Sequence, residues 1–103
     1  MPDPRLSRLS DHAGHRVYAV DGERVRNEVE VDFTMGGTRA RWPFIPDGEI
    51  WVDACLSEFD RQATIRHEAE EYRQMTARGL RYEEAHDLAN AVERRYRRRY
   101  ASG

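Results

Sequence analysis

The sequence predicts an α+β fold, in which a small, twisted, mainly antiparallel sheet is followed by two α-helices. Before about residue 57 short apolar segments alternate with turn residues, and after it apolar residues recur at helical spacing. With 103 residues, 39% of them hydrophobic, the chain is long enough for one domain with a modest core. We therefore predict a loosely ordered N-terminal tail at 1–15 and a single α+β domain at 16–103.

Four short segments have the composition of β-strands. They are RVYAV at 16–20, VEVDF at 29–33, RARWPF at 39–44 and EIWVD at 49–53. Turns between them are favoured by three groups of residues, namely Asp21-Gly22, Gly36-Gly37 and Pro46-Asp47-Gly48. In the last segment Ile50 and Val52 alternate with Trp51, so we expect a strand that leads directly into the first helix.

Two helices are predicted in the second half of the chain. Ser57 and Asp60 have the spacing of a capping box and Gly79 provides a C-terminal stop, so the first helix is predicted at about 58–78. The second is predicted to begin near Tyr82 and to run into the arginine-rich end. Its core-facing residues are predicted to be Ala85, Leu88, Ala89, Val92 and Tyr96.

Charge and cysteine content narrow the classes of function. The formal net charge is −2, so a nucleic acid is not the default partner, because phosphate binding usually leaves a basic excess. The one cysteine, Cys55, excludes an internal disulfide framework, fits a reducing cytoplasm and is predicted to be a buried thiol. The sequence has neither a membrane-spanning apolar run nor the apolar core of a signal peptide, so we expect no membrane partner and a cytoplasmic location. The oligomeric state is left open.

The stretch TIRHEAEEYRQ, at 64–74, contains the arrangement His67-Glu68-x-x-Glu71. Residues four apart lie one above the other on a helix, so the imidazole of His67 and the carboxylate of Glu71 can bind one ion. Glu68 is displaced by about 100° around the helix axis, which is where a general base for a metal-held water belongs. In a glutamate-rich chain the same pattern also fits a solvated helix face with charge pairs four residues apart.

Two ligands do not hold a catalytic ion, and the second helix offers more. His86 and Glu93 are seven residues apart and so lie on one face of that helix. Together His67, Glu71 and His86 form the two-histidine, one-carboxylate set of thermolysin-type zinc sites. If Glu93 also bound the ion, the second carboxylate would weaken water activation or favour manganese or iron. Tyr82 is either a hydrogen-bond donor to a tetrahedral intermediate or a packing residue between the helices.

A family resemblance covers nearly the whole chain, from about Val17 to Glu93. The segments that carry it are VYAVDGERVRNEVEVDFTMGG and RWPFIPDGEIWVDACLSEFDRQATIRHEAEEYRQMTARGLRYEEAHDLANAVE. They resemble a family of small uncharacterised proteins of bacteria and their phages, which share HExxE followed by YxxAHxxA and a glutamate. The last third is also similar to the minimal metallopeptidase core of compact gluzincins, a group of zincins in which a strand precedes a helix bearing HExxH.

This resemblance implies a minimal zincin-like metallopeptidase with a divalent metal, zinc first, with manganese, iron or nickel as alternatives. It implies metal ligands at His67, Glu71 and His86, a general base at Glu68, and auxiliary groups at Tyr82 and Glu93. The sequence departs from the gluzincin core at one ligand, because Glu71 stands where that core has its second histidine. By analogy with zincins, an extended peptide substrate would lie along the strand that contains Trp51.

A rival function is located at the C-terminal end. The segment RRYRRRY, at 94–100, combines basic and aromatic residues as surfaces that bind single-stranded nucleic acid do. Its basic residues are Arg94, Arg95, Arg97, Arg98 and Arg99. Cations at a helix C-terminus are also favoured by the helix dipole without any ligand. A third interpretation is a protein-interaction module with a structural metal or none, so the sequence leaves enzymatic activity open.

Overall fold

A four-stranded sheet followed by two long helices forms the fold, in a computed structural model that describes residues 3–101. The strands are β1 (Arg5–Arg8), β2 (Arg16–Val20), β3 (Gly36–Thr38) and β4 (Glu49–Asp53). The helices are α1 (Gly22–Glu28), α2 (Glu58–Thr76) and α3 (Tyr82–Tyr100). The predicted α+β class and its two long helices are confirmed. The predicted tail at 1–15 and domain at 16–103 each include two terminal residues outside the described range.

The sheet is mixed and has the strand order β1-β2-β4-β3. The pairs β1·β2 and β3·β4 are antiparallel, as the sequence predicts for most of the sheet, and the central pair β2·β4 is parallel. All five residues of β4 are buried, because this strand has a neighbour on both sides and is covered on both faces. The strand that leads into α2 is therefore a buried, central strand of the sheet.

Alternating side chains of the sheet form two apolar clusters, one on each face. On the face covered by α2, Ile50 and Val52 of β4 pack with Val17 and Ile65. On the other face, Trp51 packs in a cluster that is completed by residues of the 21–48 connection, which are Val25, Phe33 and Ile45. The predicted alternation of EIWVD is confirmed, and it fixes where α2 lies.

The connection between β2 and β4 differs from the predicted strands and turns. Asp21 begins a helix instead of a turn, since its side chain accepts a hydrogen bond from the Arg24 backbone N–H and caps α1. The strand prediction at 29–33 is wrong, because this segment pairs with no other strand and leaves Val31 74% exposed. The prediction at 39–44 is also wrong, and the chain there forms successive turns.

The short strand β3 takes the place of the turn predicted at Gly36-Gly37. A Cβ atom on Gly36 would lie 2.7 Å from the Trp51 carbonyl oxygen and 2.9 Å from Thr64 Cγ2. The glycine is needed because β3 lies close to both β4 and α2, and not because the chain reverses there. This approach brings the 32–38 segment against the helix that carries the HExxE sequence.

Part of the predicted loose tail belongs to the sheet. Strand β1 pairs with β2, and the guanidinium of Arg5 lies 2.9 Å from a carboxylate oxygen of the buried Glu49. These backbone and side-chain contacts hold a segment whose composition gave no strand signal. The prediction of a buried thiol is also wrong, because Cys55 is exposed in the turn between β4 and α2.

The helices α2 and α3 form an antiparallel hairpin. Helix α2 begins where predicted, with the Ser57 side chain accepting a hydrogen bond from the Asp60 backbone N–H, and the chain reverses at Gly79, whose φ is +68°. Helix α3 begins at Tyr82 as predicted and buries Ala85, but Leu88 is 39% exposed and does not face the core. Within residues 3–101, no helix has the length and apolar character needed to cross a membrane.

Candidate metal centre

The helical hairpin brings the two halves of the predicted site together. Glu71 of α2 contacts His86 of α3, and three residues earlier on α2, nearly one turn towards its N-terminus, Glu68 faces the same cavity. His67 lies beside carboxylate groups and beside His86, whose ring centroid is 4.9 Å from that of His67. The predicted convergence of the HExxE helix and the second helix is therefore observed in the geometry.

Three potential ligand atoms meet at one point. The Oε2 atom of Glu71 lies 3.2 Å from Nε2 of His67 and 3.0 Å from Nδ1 of His86. One ligand atom from each of these three residues lies within 4.8 Å of the other two. His67 and Glu71 are buried and His86 is partly exposed, so the group lies at the bottom of an open cavity. Two imidazoles and one carboxylate can hold a divalent ion and leave a coordination position open.

Glu93 lies behind His67 rather than among the three ligand atoms. Its Oε1 atom is 2.9 Å from Nδ1 of His67, the ring nitrogen that faces away from Glu71. Nδ1 is nevertheless without a hydrogen bond among the described residues, so the contact has the right distance but not the right direction. This placement supports the auxiliary role of Glu93 over the ligand role, because a histidine ligand commonly donates its second N–H to a carboxylate.

A further ion-pair network holds Glu93 in place. The Nε atom of Arg97 donates to Glu93 Oε2 at 2.8 Å, and its Nη1 atom donates to Asp60 Oδ1 at 2.7 Å. Arg97 thus bridges the end of α3 and the start of α2. A chain of polar contacts therefore runs from Asp60 through Arg97 and Glu93 to His67. The sequence predicted a nucleic-acid surface for this arginine instead.

Glu68 lies in surroundings that favour its neutral form. It is 7% exposed, and burial raises its pKa to about 8, with the negative charges of Glu71 and Glu93 adding to the increase and His67 opposing it. A carboxyl group with a pKa near neutrality can both accept and donate a proton at physiological pH. The sequence placed Glu68 beside the ligands, and the structure adds the burial that gives it this pKa.

The same carboxylates also raise the pKa values of His67 and Tyr82. Burial lowers the pKa of His67, but its hydrogen bond to Glu71 and the nearby negative charges outweigh this effect and raise that pKa overall. Burial and the charge of Glu71 raise the pKa of Tyr82, so its hydroxyl remains a donor at neutral pH. That hydroxyl is 3.4 Å from Nδ1 of His86, and the two rings stack, so Tyr82 packs on a residue of its own helix and lines the cavity.

A cavity of about 320 Å³ opens over the three ligand atoms. One wall is formed by α2 and α3, and the other by residues of the 32–42 segment. Sequence reasoning missed this second wall, which includes Thr34, Met35 and Arg41, because the segment carries no local signal that it lies beside the helices. Asn90 also lines the cavity and could have been found, since it is four residues from His86 on the same helix face.

The residues present fit a bound divalent cation. Among the described residues no arginine pairs with the buried Glu71, whose Oε2 atom contacts only the imidazoles of His67 and His86. Histidine nitrogen and carboxylate oxygen are the donors that zinc accepts. The buried Nδ1 atom of His67 has no hydrogen bond within residues 3–101, and it would donate one to the adjacent Glu93 carboxylate if Nε2 bound a metal.

The structure rules out one of the two predicted partner surfaces and reduces the other. Strand β4 cannot pair with an extended peptide along Trp51, because its edges are occupied by β2 and β3 and the tryptophan is 3% exposed. At the end of α3, the Tyr96 ring packs on Phe59 and under the Arg66 guanidinium, so it is not free to stack on a base. Four of the five predicted arginines remain exposed: Arg94, Arg95, Arg98 and Arg99.

Comparisons of this chain with protein-family models, with curated proteins and with solved structures give no match in any of the three. The resemblance to zincin-like metallopeptidases therefore stays a prediction, neither supported nor contradicted by relatives.

Proposed function

We propose that the protein is a metal-dependent hydrolase that cleaves an amide bond, most simply a peptide bond. The observation that carries the proposal is the convergence of His67, Glu71 and His86 beside the buried Glu68, at the bottom of one cavity. A divalent ion, when bound by these three residues, would polarise a carbonyl group and acidify a water molecule. Zinc fits the donor set better than manganese or iron, because Glu93 lies outside it.

The residues around the ligands have the chemical properties that such a reaction needs. Glu68 takes a proton from the attacking water and passes it to the leaving nitrogen. Its pKa is about 8 without a metal, and the positive charge of a bound ion would lower that pKa and favour the ionised form that a base needs. Tyr82 donates a hydrogen bond from its hydroxyl group to the oxygen on which negative charge develops. Glu93, held by Arg97, orients His67. Water adds to the carbonyl carbon, the carbon–nitrogen bond breaks, and the products are a carboxylate and an amine.

Elemental analysis by inductively coupled plasma mass spectrometry tests the metal site directly. We expect about one zinc ion per chain after purification or zinc loading, and its loss in His67→Ala and in His86→Ala. His12→Ala is the matched control, because His12 lies in the turn before β2 and contacts none of the three ligands. Folded protein that binds none of zinc, manganese, iron and nickel would refute the hydrolase proposal.

A metal site alone does not establish catalysis, so the second test concerns Glu68. In zinc-loaded Glu68→Gln we expect the metal content and the fold to be unchanged and hydrolysis of a peptide library to be lost. Glu70→Gln is the control, since Glu70 lies on the same helix but pairs with Arg73 outside the cavity. Equal cleavage by the native and Glu68→Gln proteins would assign the chemistry to another residue.

Nucleic-acid binding at the end of α3 is the second candidate. It is supported by Arg94, Arg95, Arg98 and Arg99, which are exposed and form no salt bridge with another described residue. Replacing these four by glutamine should then abolish a salt-dependent mobility shift of labelled single-stranded DNA and leave the zinc content unchanged. No shift of DNA by the native chain at low salt would eliminate this candidate.

A further inference from the structure

Arg41 occupies an unusual position at the mouth of the cavity. Its guanidinium carbon lies 4.1 Å from the ring centre of Tyr82 and 4.6 Å from that of Trp42. Trp42 in turn stacks on Phe44, which packs on the core around Phe33. The arginine is therefore held by aromatic rings that are themselves fixed, although the residue as a whole is exposed.

This arginine has no carboxylate partner. Within residues 3–101 no acidic group lies within salt-bridge distance of Arg41, whereas Arg97 on the opposite side of the site contacts two. The two ring contacts and the Tyr82 hydroxyl engage only part of the Arg41 guanidinium group, which has five N–H donors, so several N–H bonds remain for a ligand. Those N–H bonds match the two oxygens of a carboxylate in a bidentate contact.

The position of Arg41 relative to the ligands limits what could bind. The guanidinium carbon lies 4.1 Å from the Tyr82 ring centre and the Tyr82 and His86 ring centres are 5.3 Å apart, so the guanidinium carbon is at most 9.4 Å from the His86 ring centre. A group bound by Arg41 would thus lie one to two residues of extended chain from a carbonyl held near His86, since each residue spans about 3.5 Å. Every peptide and every acylated amino acid has its terminal carboxylate at such a separation from its last amide bonds, whatever its side chains are.

We propose that Arg41 is the specificity-determining residue of this site and binds the free carboxylate of a substrate whose amide bond lies one or two residues away. The inference rests on the proposed function, and it narrows the substrates to C-terminal peptide segments and N-acylated amino acids. Hydrolysis then releases an amino acid or a dipeptide, and Arg41 takes no part in the bond-breaking step itself.

Binding of a matched pair of ligands tests this assignment. The probes are N-acetyl-alanyl-alanine and its C-terminal amide, which differ only in the charged group. Each is titrated into zinc-loaded and into chelator-treated protein, and binding is followed by the indole N–H resonance of Trp42. The Trp51 indole, buried and donating to Glu49, provides an internal reference that should not move.

We expect the acid to bind about tenfold more tightly than the amide, the factor that corresponds to one charge-assisted hydrogen-bonded pair. Arg41→Gln should abolish the preference, and Arg41→Lys should retain only part of it, because lysine has the charge without the planar donor pair. Arg39→Gln is the control, since Arg39 is an exposed arginine two residues away that does not line the cavity.

The outcomes separate this inference from the proposed function. Equal affinities for acid and amide, no binding of either probe, or a preference that survives Arg41→Gln would each overturn the role of Arg41. A preference that is lost in Arg41→Gln upholds it. If the chain binds no metal but the chelator-treated protein still shows that Arg41-dependent preference, the hydrolase proposal fails and the carboxylate site stands.

Discussion

Glu93 contacts His67 on the ring nitrogen opposite the one that faces Glu71, with 2.9 Å between Glu93 Oε1 and His67 Nδ1. When such a carboxylate accepts a hydrogen bond from Nδ1–H, it selects the tautomer that leaves Nε2 free to bind a metal, and it increases the basicity of that nitrogen. This contact does not depend on which ion is bound. Glu93 is therefore expected to affect how tightly the ion is held and not how many ligands the ion has.

We therefore expect Glu93→Gln to weaken zinc binding by roughly 10- to 100-fold while the stoichiometry stays at one ion per chain. Competition with a chelator of known affinity measures the effect. Glu83→Gln is the control, because Glu83 is an exposed glutamate in the first turn of the same helix. A full loss of zinc in Glu93→Gln would instead indicate that Glu93 is a ligand.

Arg97 should influence the same affinity more weakly. It holds Glu93 from the side opposite His67, but the arginine is partly exposed and the network is open to solvent at Asp60. We expect Arg97→Met to weaken zinc binding roughly two- to fivefold, the factor that corresponds to one partly exposed ion pair. Because salt screens such pairs, the effect should shrink in 0.5 M salt. Chelator competition at two salt concentrations measures it, and a loss as large as that of Glu93→Gln would contradict the indirect role.

Much of the fold could be predicted because its signals are local. The EIWVD alternation, the Ser57 cap and the start of each long helix depend on residues close in sequence, and each has the predicted position. The spacing of His67 and Glu71 is local in the same sense. Their meeting with His86 could be anticipated because a short connection makes neighbouring helices antiparallel.

The remainder of the fold depends on contacts that the sequence does not display. The 29–33 segment alternates like a strand, but it pairs with none of the four strands and only Phe33 is buried. Gly36 and Gly37 have the composition of a turn and form a strand, because close contact with Trp51, Thr64 and Trp42 excludes a side chain. The cavity wall that contains Arg41 could not be predicted, because it too depends on contacts between residues far apart in the sequence.

Gly36→Ala tests the close approach of β3. The added Cβ would lie 2.7 Å from the Trp51 carbonyl oxygen, which is backbone and cannot rotate away. We expect the free energy of unfolding to fall by about 1–3 kcal/mol, as overpacking of a filled site usually costs. Urea denaturation measures it. Unchanged stability would mean that β3 can move away from β4, and zinc affinity should then change, because Gly36 also lines the cavity.

The pKa of Glu68 predicts how the stability of the metal-free protein depends on pH. A glutamate whose pKa is raised from its usual 4.5 to about 8 in the folded state is protonated there at pH values at which the unfolded chain has lost the proton. The folded state then binds more protons, so stability falls as pH rises from about 4.5 to about 8 and levels off above that range. The loss is on the order of a few kcal/mol.

Glu68→Gln removes this titration, so we expect the variant to match the native protein near pH 4.5 and to exceed its stability near pH 9. Urea denaturation in the presence of a chelator, at both pH values, measures the difference. Glu70→Gln should behave in the opposite way at high pH, because the Arg73 contact lowers the pKa of Glu70 and its ionised form stabilises the fold. A Glu68→Gln protein that is less stable than the native chain at pH 9 would mean that the carboxylate is ionised and favourably paired in the folded state. In that case Glu68 would begin the reaction as the ionised base, and the proton that it passes to the leaving nitrogen would be the one that it takes from the water.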